Sequence, residues 1–248
     1  QKITAADFIL GFIESCSTGC YTYSQWAASI SHLSGKVVSK QGLYERVSNT
    51  ATVDFAKNIL AEAISGKIGS VTNGFLFKTF KRVLLQDSTT LSLPQCLSAH
   101  YPGNVSHGEQ KAVARLQCLI NIKTMRWLNM ELQPFTCNDQ SASATVLPVL
   151  KKGDLLIRDL GYFVLDVFKK IEQQQAFYIS RLRYGVTLYD TKGRIIDWKQ
   201  LCRQKGITDQ VVFAGAKQKL KLRIIMVPLP EAQAAEKIRK ARADRDAR

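Results

Sequence analysis

The sequence predicts an α/β protein with a small all-helical domain over residues 1–76, a mixed sheet with helices over 77–190, and a basic, strand-rich segment with a charged tail over 191–248. Three observations carry this reading. Apolar residues up to Gly66 recur at spacings of three and four, the helical period. After "SGKIGSVTNG" (65–74), rich in glycine and small polar residues, the texture changes from helix to strand. Two separate apolar runs, "RVLLQD" (82–87) and "GDLLIRD" (153–159), each end in an aspartate.

In the helical part, "VDFAKNILAEAIS" (53–65) places Phe55, Ile59, Leu60, Ala63 and Ile64 on one stripe. Upstream, "TYSQWAASISHLSGKVVSKQGLYERVSN" (22–49) has the cadence of a helix-turn-helix. A short helix over 24–30 meets a break at Ser34 and Gly35, and Ser39 is the expected N-cap of a second helix. That second helix would offer Lys40, Gln41, Tyr44 and Arg46 to DNA, although a plain helical hairpin has the same signature.

Strands are expected over 81–93, 116–122 and 127–135, the last two joined by a tight turn at "KTMR". "CNDQSASAT" (137–145) reads as a polar loop, "VLDVFKKIEQQ" (164–174) as a helix, and "AFYISRLRYGVTLYD" (176–190) as a strand. "QVVFAGAKQKLKLRIIMVPL" (210–229) continues as basic strands, and "EAQAAEKIRKARADRDAR" (231–248) is a charged helix or tail without a core-forming stripe.

Hydrophobic residues make up 46% of the 248, and no apolar run approaches the roughly 18–20 residues of a bilayer span, which predicts a soluble globular protein. The six cysteines are scattered, as in a reducing cytoplasm. Cys16 and Cys20 with His32 lack a fourth nearby zinc ligand. Charge is the strongest bulk feature: 35 basic against 20 acidic residues, net +15. The net charge is +1 over 1–76, +3 over 77–150 and +11 over 151–248. Such a late excess fits a face that follows phosphates, and favours nucleic acid over membrane. Lys217, Lys219, Lys221 and Arg223 are its expected contacts.

Side chains alternate along a strand, so Val83, Leu85 and Asp87 share one face, as do Leu155, Ile157 and Asp159. Each set is expected to turn apolar residues inward and to deliver a carboxylate where the strand emerges. Two such carboxylates on neighbouring strands repel unless a cation lies between them. A hard divalent ion such as Mg2+ or Mn2+ resolves the conflict, and a pair of ions ~4 Å apart suits phosphoryl transfer. The competing reading makes Asp87 a cap before Ser88 and Thr89, and Asp159 the start of a turn at Gly161.

The order "QDSTT", strand hairpin, "GDLLIRDLGYF", "FYISRLRYGV" resembles the insertion-sequence transposases of the DDE type, whose RNase H-like catalytic domain is interrupted by a β-rich insertion. "DST" and "DLGYF" are similar to the first and second acidic motifs of that family. The resemblance implies that Asp87 and Asp159 are the first two catalytic carboxylates and both metal ligands, that Gly161 and Tyr162 shape the second motif, and that Arg181 and Arg183, on the following strand, face DNA. It further implies double-stranded DNA as partner, both transposon ends and target, and a homodimer in the synaptic complex. The family's third acid is a glutamate beyond the insertion. Glu172 falls too early for it, and Glu231 and Glu236 lie in the charged tail, so the chain is expected to be a fragment or the product of a truncated gene. Three readings stay open at this point. They are a transposase that cuts and joins DNA in its complete form, an inactive relic competing for transposon ends, and an unrelated RNase H-like nuclease.

Overall fold

A computed structural model describes residues 3–18, 22–65, 77–106, 108–203 and 206–246. The chain divides into two compact units, residues 1–66 and 67–248. The expected boundary at 76/77 adjoins residues 66–76, which lie outside the described residues, as does Cys20.

The first unit contains α1 (Ala5–Ser17), α2 (Tyr23–Ser34), α3 (Lys40–Val47) and α4 (Thr50–Ser65). Thr4 and Asp7 form a reciprocal capping box at the start of α1. Gly35, at φ 66°, closes α2 in the left-handed conformation that glycine adopts without strain. Helix α2 therefore runs a full turn beyond the expected 24–30, because the break comes only at that glycine. Ser39 caps α3 as expected, accepting from the Gly42 backbone N–H. Phe8, Ala27, Ile30 and Leu43 form the core of the bundle. Gly11 lets α1 and α2 approach closely, since a Cβ there would lie 2.5 Å from Ile30 Cγ1.

The second unit is built on a six-stranded sheet of β1 (Val83–Ser92), β2 (Pro102–Ser106), β3 (Glu109–Asn121), β4 (Arg126–Pro134), β5 (Leu155–Arg158) and β6 (Phe177–Ser180). The order is β2-β3-β1-β5-β6, and β4 pairs with the second part of β3, off this path. Strands β1, β5 and β6 are parallel, while β3 runs antiparallel to β1 and to β4. Helix α5 (Leu165–Gln173) crosses from β5 to β6 and buries Val167, Phe168 and Ile171 against Leu84, Leu119 and Leu156. The Phe168 ring stacks on Tyr178 at 4.4 Å. Beyond it come β7 (Leu188–Tyr189), α6 (Trp198–Cys202), β8 (Thr208–Ala214) and β9 (Leu220–Met226). These three strands form a separate antiparallel sheet whose core is Leu188, Leu201, Val212, Ala214 and Ile224. Helix α7 (Glu231–Asp246) ends the described chain. The result is a mixed α/β, RNase H-like arrangement with a small helical region ahead of it in sequence and a separate three-stranded antiparallel sheet after it. Among the described residues no helix is long and apolar enough to cross a membrane.

Three details depart from the sequence expectations. The strand expected over 176–190 stops at Ser180, because β5, its neighbour in the sheet among the described residues, ends at Arg158, the partner of Ser180. Arg181 and Arg183 therefore lie on a loop and not on a strand. Strand β3 begins at Glu109, earlier than the expected 116, because β2 pairs with its first half. In β1 the inward face is Leu84 and Gln86, while Leu85 is 38% exposed, so the Leu85 and Asp87 side of the strand is the open one.

Candidate active site

Register brings the two aspartates together. Val83 to Gln86 pair in parallel with Leu155 to Arg158; Asp87 is the next residue of β1, and Asp159 follows the end of β5 directly. Neighbouring strands lie about 4.8 Å apart, so the register puts the two aspartates at the emerging ends of adjacent parallel strands, with their Cα atoms on the same face of the sheet. A buried clamp holds that register at the opposite strand ends. Arg82 donates to both oxygens of Asp154, which is 1% exposed, at 3.0 and 2.5 Å, and to the Val149 carbonyl at 2.9 Å.

Both aspartates are exposed, and they open onto the sheet face that also displays Phe177 and Ile179. Asp87 Oδ1 accepts from the Ser88 backbone N–H at 2.8 Å. Asp159 Oδ1 accepts from Arg181 Nη1 at 3.2 Å. The Leu160 backbone N–H, and then Arg181, hold the Asp159 carboxyl below the usual carboxylate range. Among the described residues no group of three His, Cys, Asp or Glu side chains forms around the pair. The pair suits a hard cation in its chemistry: two carboxylates, open to water and to a phosphate, with room for further ligands.

Beneath the carboxylates, on the covered face, the residues just before each aspartate make a polar layer. Arg158, 3% exposed, donates from Nη2 to Gln86 Oε1 at 2.5 Å and to the Ser143 carbonyl at 2.7 Å. Its guanidinium lies 5.3 Å from the Tyr162 ring, and burial lowers its pKa to about 10. Tyr162, fully buried, donates its hydroxyl to Gln117 Oε1 at 2.5 Å. Burial drives its phenol pKa upward. Sequence reading did not find Gln86, Gln117 or Arg158 as partners of this site, nor Asp139, whose Oδ1 accepts from Ser88 Oγ at 2.6 Å. Asp139 sits in a polar loop without periodicity, and only the fold brings it near the motifs.

The other candidates fall in separate places. Lys40, Gln41 and Tyr44 are exposed on α3 of the first unit, and Arg46 is partly buried there. Tyr44 packs edge-on against Tyr23 at 5.5 Å. Lys221 and Arg223 project from the outer face of β9, opposite buried Leu220 and Ile224. Lys217 and Lys219 occupy the preceding turn. Arg223 is already engaged, donating to both oxygens of Asp209 at 2.8 and 2.6 Å, and Lys219 lies over the Tyr189 ring at 5.3 Å.

Two carboxylates at the ends of adjacent parallel strands are groups that can hold the kind of divalent ion that serves phosphoryl transfer. The family described as the transposase DDE domain matches residues 78–241, and the chain belongs to that family. It is similar to the transposase for insertion sequence element IS231F of Bacillus thuringiensis subsp. israelensis, with 29% identity over 84% of this chain and 48% of the relative. The IS231D transposase of Bacillus thuringiensis subsp. finitimus is 32% identical over 62% of this chain and 32% of its own length. The IS1151 transposase of Clostridium perfringens is 26% identical over 96% of this chain and 54% of its own length. The chain thus spans about half the length of the relatives it matches most extensively.

Proposed function

We propose that this chain is the portion of an insertion-sequence transposase that holds two carboxylate metal ligands and grips DNA. The observation that carries the reading is the placement of Asp87 and Asp159 one residue beyond the paired Gln86 and Arg158, inside the matched domain. Magnesium or manganese, when bound, would supply a Lewis acid that activates water or a 3′ hydroxyl and stabilises the leaving oxygen. Asp87 and Asp159 hold the metal. Arg181, 73% exposed at its side chain, keeps a cation beside Asp159 through Oδ1 of that carboxylate. On substrate binding the guanidinium can turn to a DNA phosphate, a bidentate match.

DNA contact is assigned to Lys40, Gln41, Tyr44 and Arg46 on the helical unit, to Arg181 and Arg183 beside the acids, and to Lys217, Lys219, Lys221 and Arg223 on the late sheet. Transposon ends and target are the duplexes concerned, and pairing of two ends calls for two copies of the protein. The domain limits follow the same division: a helical DNA-binding part over 1–76, the catalytic core over 77–190, and the insertion over 191–248.

The test uses the full-length protein containing this sequence and a duplex bearing its element's ends. Strand nicking should require Mg2+ or Mn2+. Asp87→Asn or Asp159→Asn should each lower the nicking rate by about a thousandfold or more while DNA affinity stays within about twofold. Undiminished nicking by either variant would refute the assignment. The 248-residue chain alone should bind DNA without cutting it, since no third acid joins the pair among the described residues.

A further inference from the structure

The two acidic motifs contain residues whose chemistry the metal does not explain. Ser88 follows Asp87, and Gly161 and Tyr162 follow Asp159 by two and three positions. Ser88 and Gly161 adjoin one side chain that neither motif contains, and Tyr162 is linked to it through Gln117. Ser88 Oγ donates to Asp139 Oδ1 at 2.6 Å. Gly161 lies so close to the same residue that a Cβ would stand 2.7 Å from Asp139 Oδ2 and 2.9 Å from its Cβ. Tyr162 donates to Gln117 Oε1 at 2.5 Å, and Gln117 Nε2 in turn donates to Asp139 Oδ1 at 3.3 Å. Arg115 completes the set, donating from Nη1 to Asp139 Oδ1 and to Ser88 Oγ, each at 3.1 Å.

We propose that Asp139 is a positioning residue, whose carboxylate ties the turn carrying Asp159 to the strand position after Asp87 and so fixes the gap between the two metal-binding carboxylates. The inference rests on the reading that Asp87 and Asp159 hold metal. Three physical points support it. The parallel ladder pairs only as far as Gln86 and Arg158, so nothing in the β1–β5 ladder restrains the acids themselves. Two like charges on adjacent strands push those ends apart when metal is absent. Asp139 opposes that push from the side, and Arg115, only 14% exposed at its side chain, neutralises its charge so that it adds no third repulsion. The Asn138 side chain accepts from the Ser141 backbone N–H at 2.9 Å, which holds the loop presenting Asp139 in a defined turn.

An ion pair with a purely structural role would need only Arg115. The test therefore reads metal affinity at constant fold. Mn2+ alone is titrated into the 248-residue chain and free Mn2+ is followed by electron paramagnetic resonance, with far-UV circular dichroism and thermal midpoint recorded for each variant. Asp87→Asn should abolish site binding. Asp139→Ala should weaken Mn2+ binding about tenfold, as loss of an outer-shell partner does. Ser88→Ala, which keeps the backbone donor to Asp87 and removes only the hydroxyl tie, should weaken it about fivefold, the worth of one hydrogen bond. Asp139→Asn, which retains an acceptor oxygen, should fall between wild type and Asp139→Ala.

Wild-type Mn2+ affinity in folded Asp139→Ala and in Ser88→Ala, with binding lost in Asp87→Asn, would overturn the positioning role and leave the metal reading intact. If Asp139→Ala fails to fold, Ser88→Ala decides by itself. Wild-type binding by Asp87→Asn would overturn the metal reading, and this inference with it.

Discussion

Gln86 and Arg158 are register partners on adjacent parallel strands, joined through their side chains at 2.5 Å on the covered face of the sheet. Each precedes an aspartate that points to the open face. The same pairing that buries an amide and a guanidinium beneath the sheet thus brings two aspartates to the emerging ends of adjacent strands above it, and the candidate site follows from strand register.

That register depends on the Arg82 and Asp154 clamp at the far ends of the same strands. Asp154→Ala leaves the Arg82 guanidinium without its anion and should destabilise the second unit by about 3 kcal/mol, the cost of breaking a buried pair from one side. Urea unfolding followed at Trp127 fluorescence in a chain with its other tryptophans replaced would measure it. A loss below about 1 kcal/mol would place the clamp among ordinary surface pairs.

Asp159 should titrate below the usual carboxylate range, because the Leu160 backbone N–H and Arg181 both favour its charged form. Its folded pKa is depressed, so its contribution to stability is present above the unfolded-state pKa of about 3.9 and is lost as pH falls through the lower folded value. Carboxyl 13C resonances followed against pH would show this, and Arg181→Ala should move the Asp159 midpoint upward only in part, since the backbone donor remains. An unmoved midpoint would mean that Arg181 does not act on the carboxylate.

DNA affinity should fall steeply with salt if the late basic sheet follows phosphates. Each lysine lost from Lys217 and Lys221 should reduce the slope of log K against log salt by about 0.9. Arg223→Gln should change it less, because Asp209 already neutralises that guanidinium. Equal effects at all three positions would show that DNA displaces Asp209.

Much of the fold was legible where the sequence carried a period or a cap. Ser39, Gly35 and the "VLDVFKKIEQQ" stripe mark helices that form, and the two aspartate-ended runs mark β1 and β5. The face of β1 was not legible, because the apolar run "VLL" has no alternation to say which side is covered, and the buried side turned out to contain Gln86. Strand limits also escaped. The end of β6 and the early start of β3 are set by the lengths of their partners, which lie far away in sequence. Asp139 and Arg158 were invisible for a related reason: neither belongs to a spacing pattern, and each acquires its partners only when β1, β3 and β5 assemble.

The most direct test of the central claim is iron-directed cleavage of the protein backbone. Fe2+ replaces Mg2+ in the 248-residue chain, ascorbate and peroxide generate hydroxyl radicals at the bound ion, and the fragments are mapped by mass spectrometry. A shared site predicts cuts near both residue 87 and residue 159, suppressed by excess Mg2+ and lost together in Asp87→Asn. Cuts near one aspartate that persist when the other is replaced, or cuts at neither, would contradict a site built from the two.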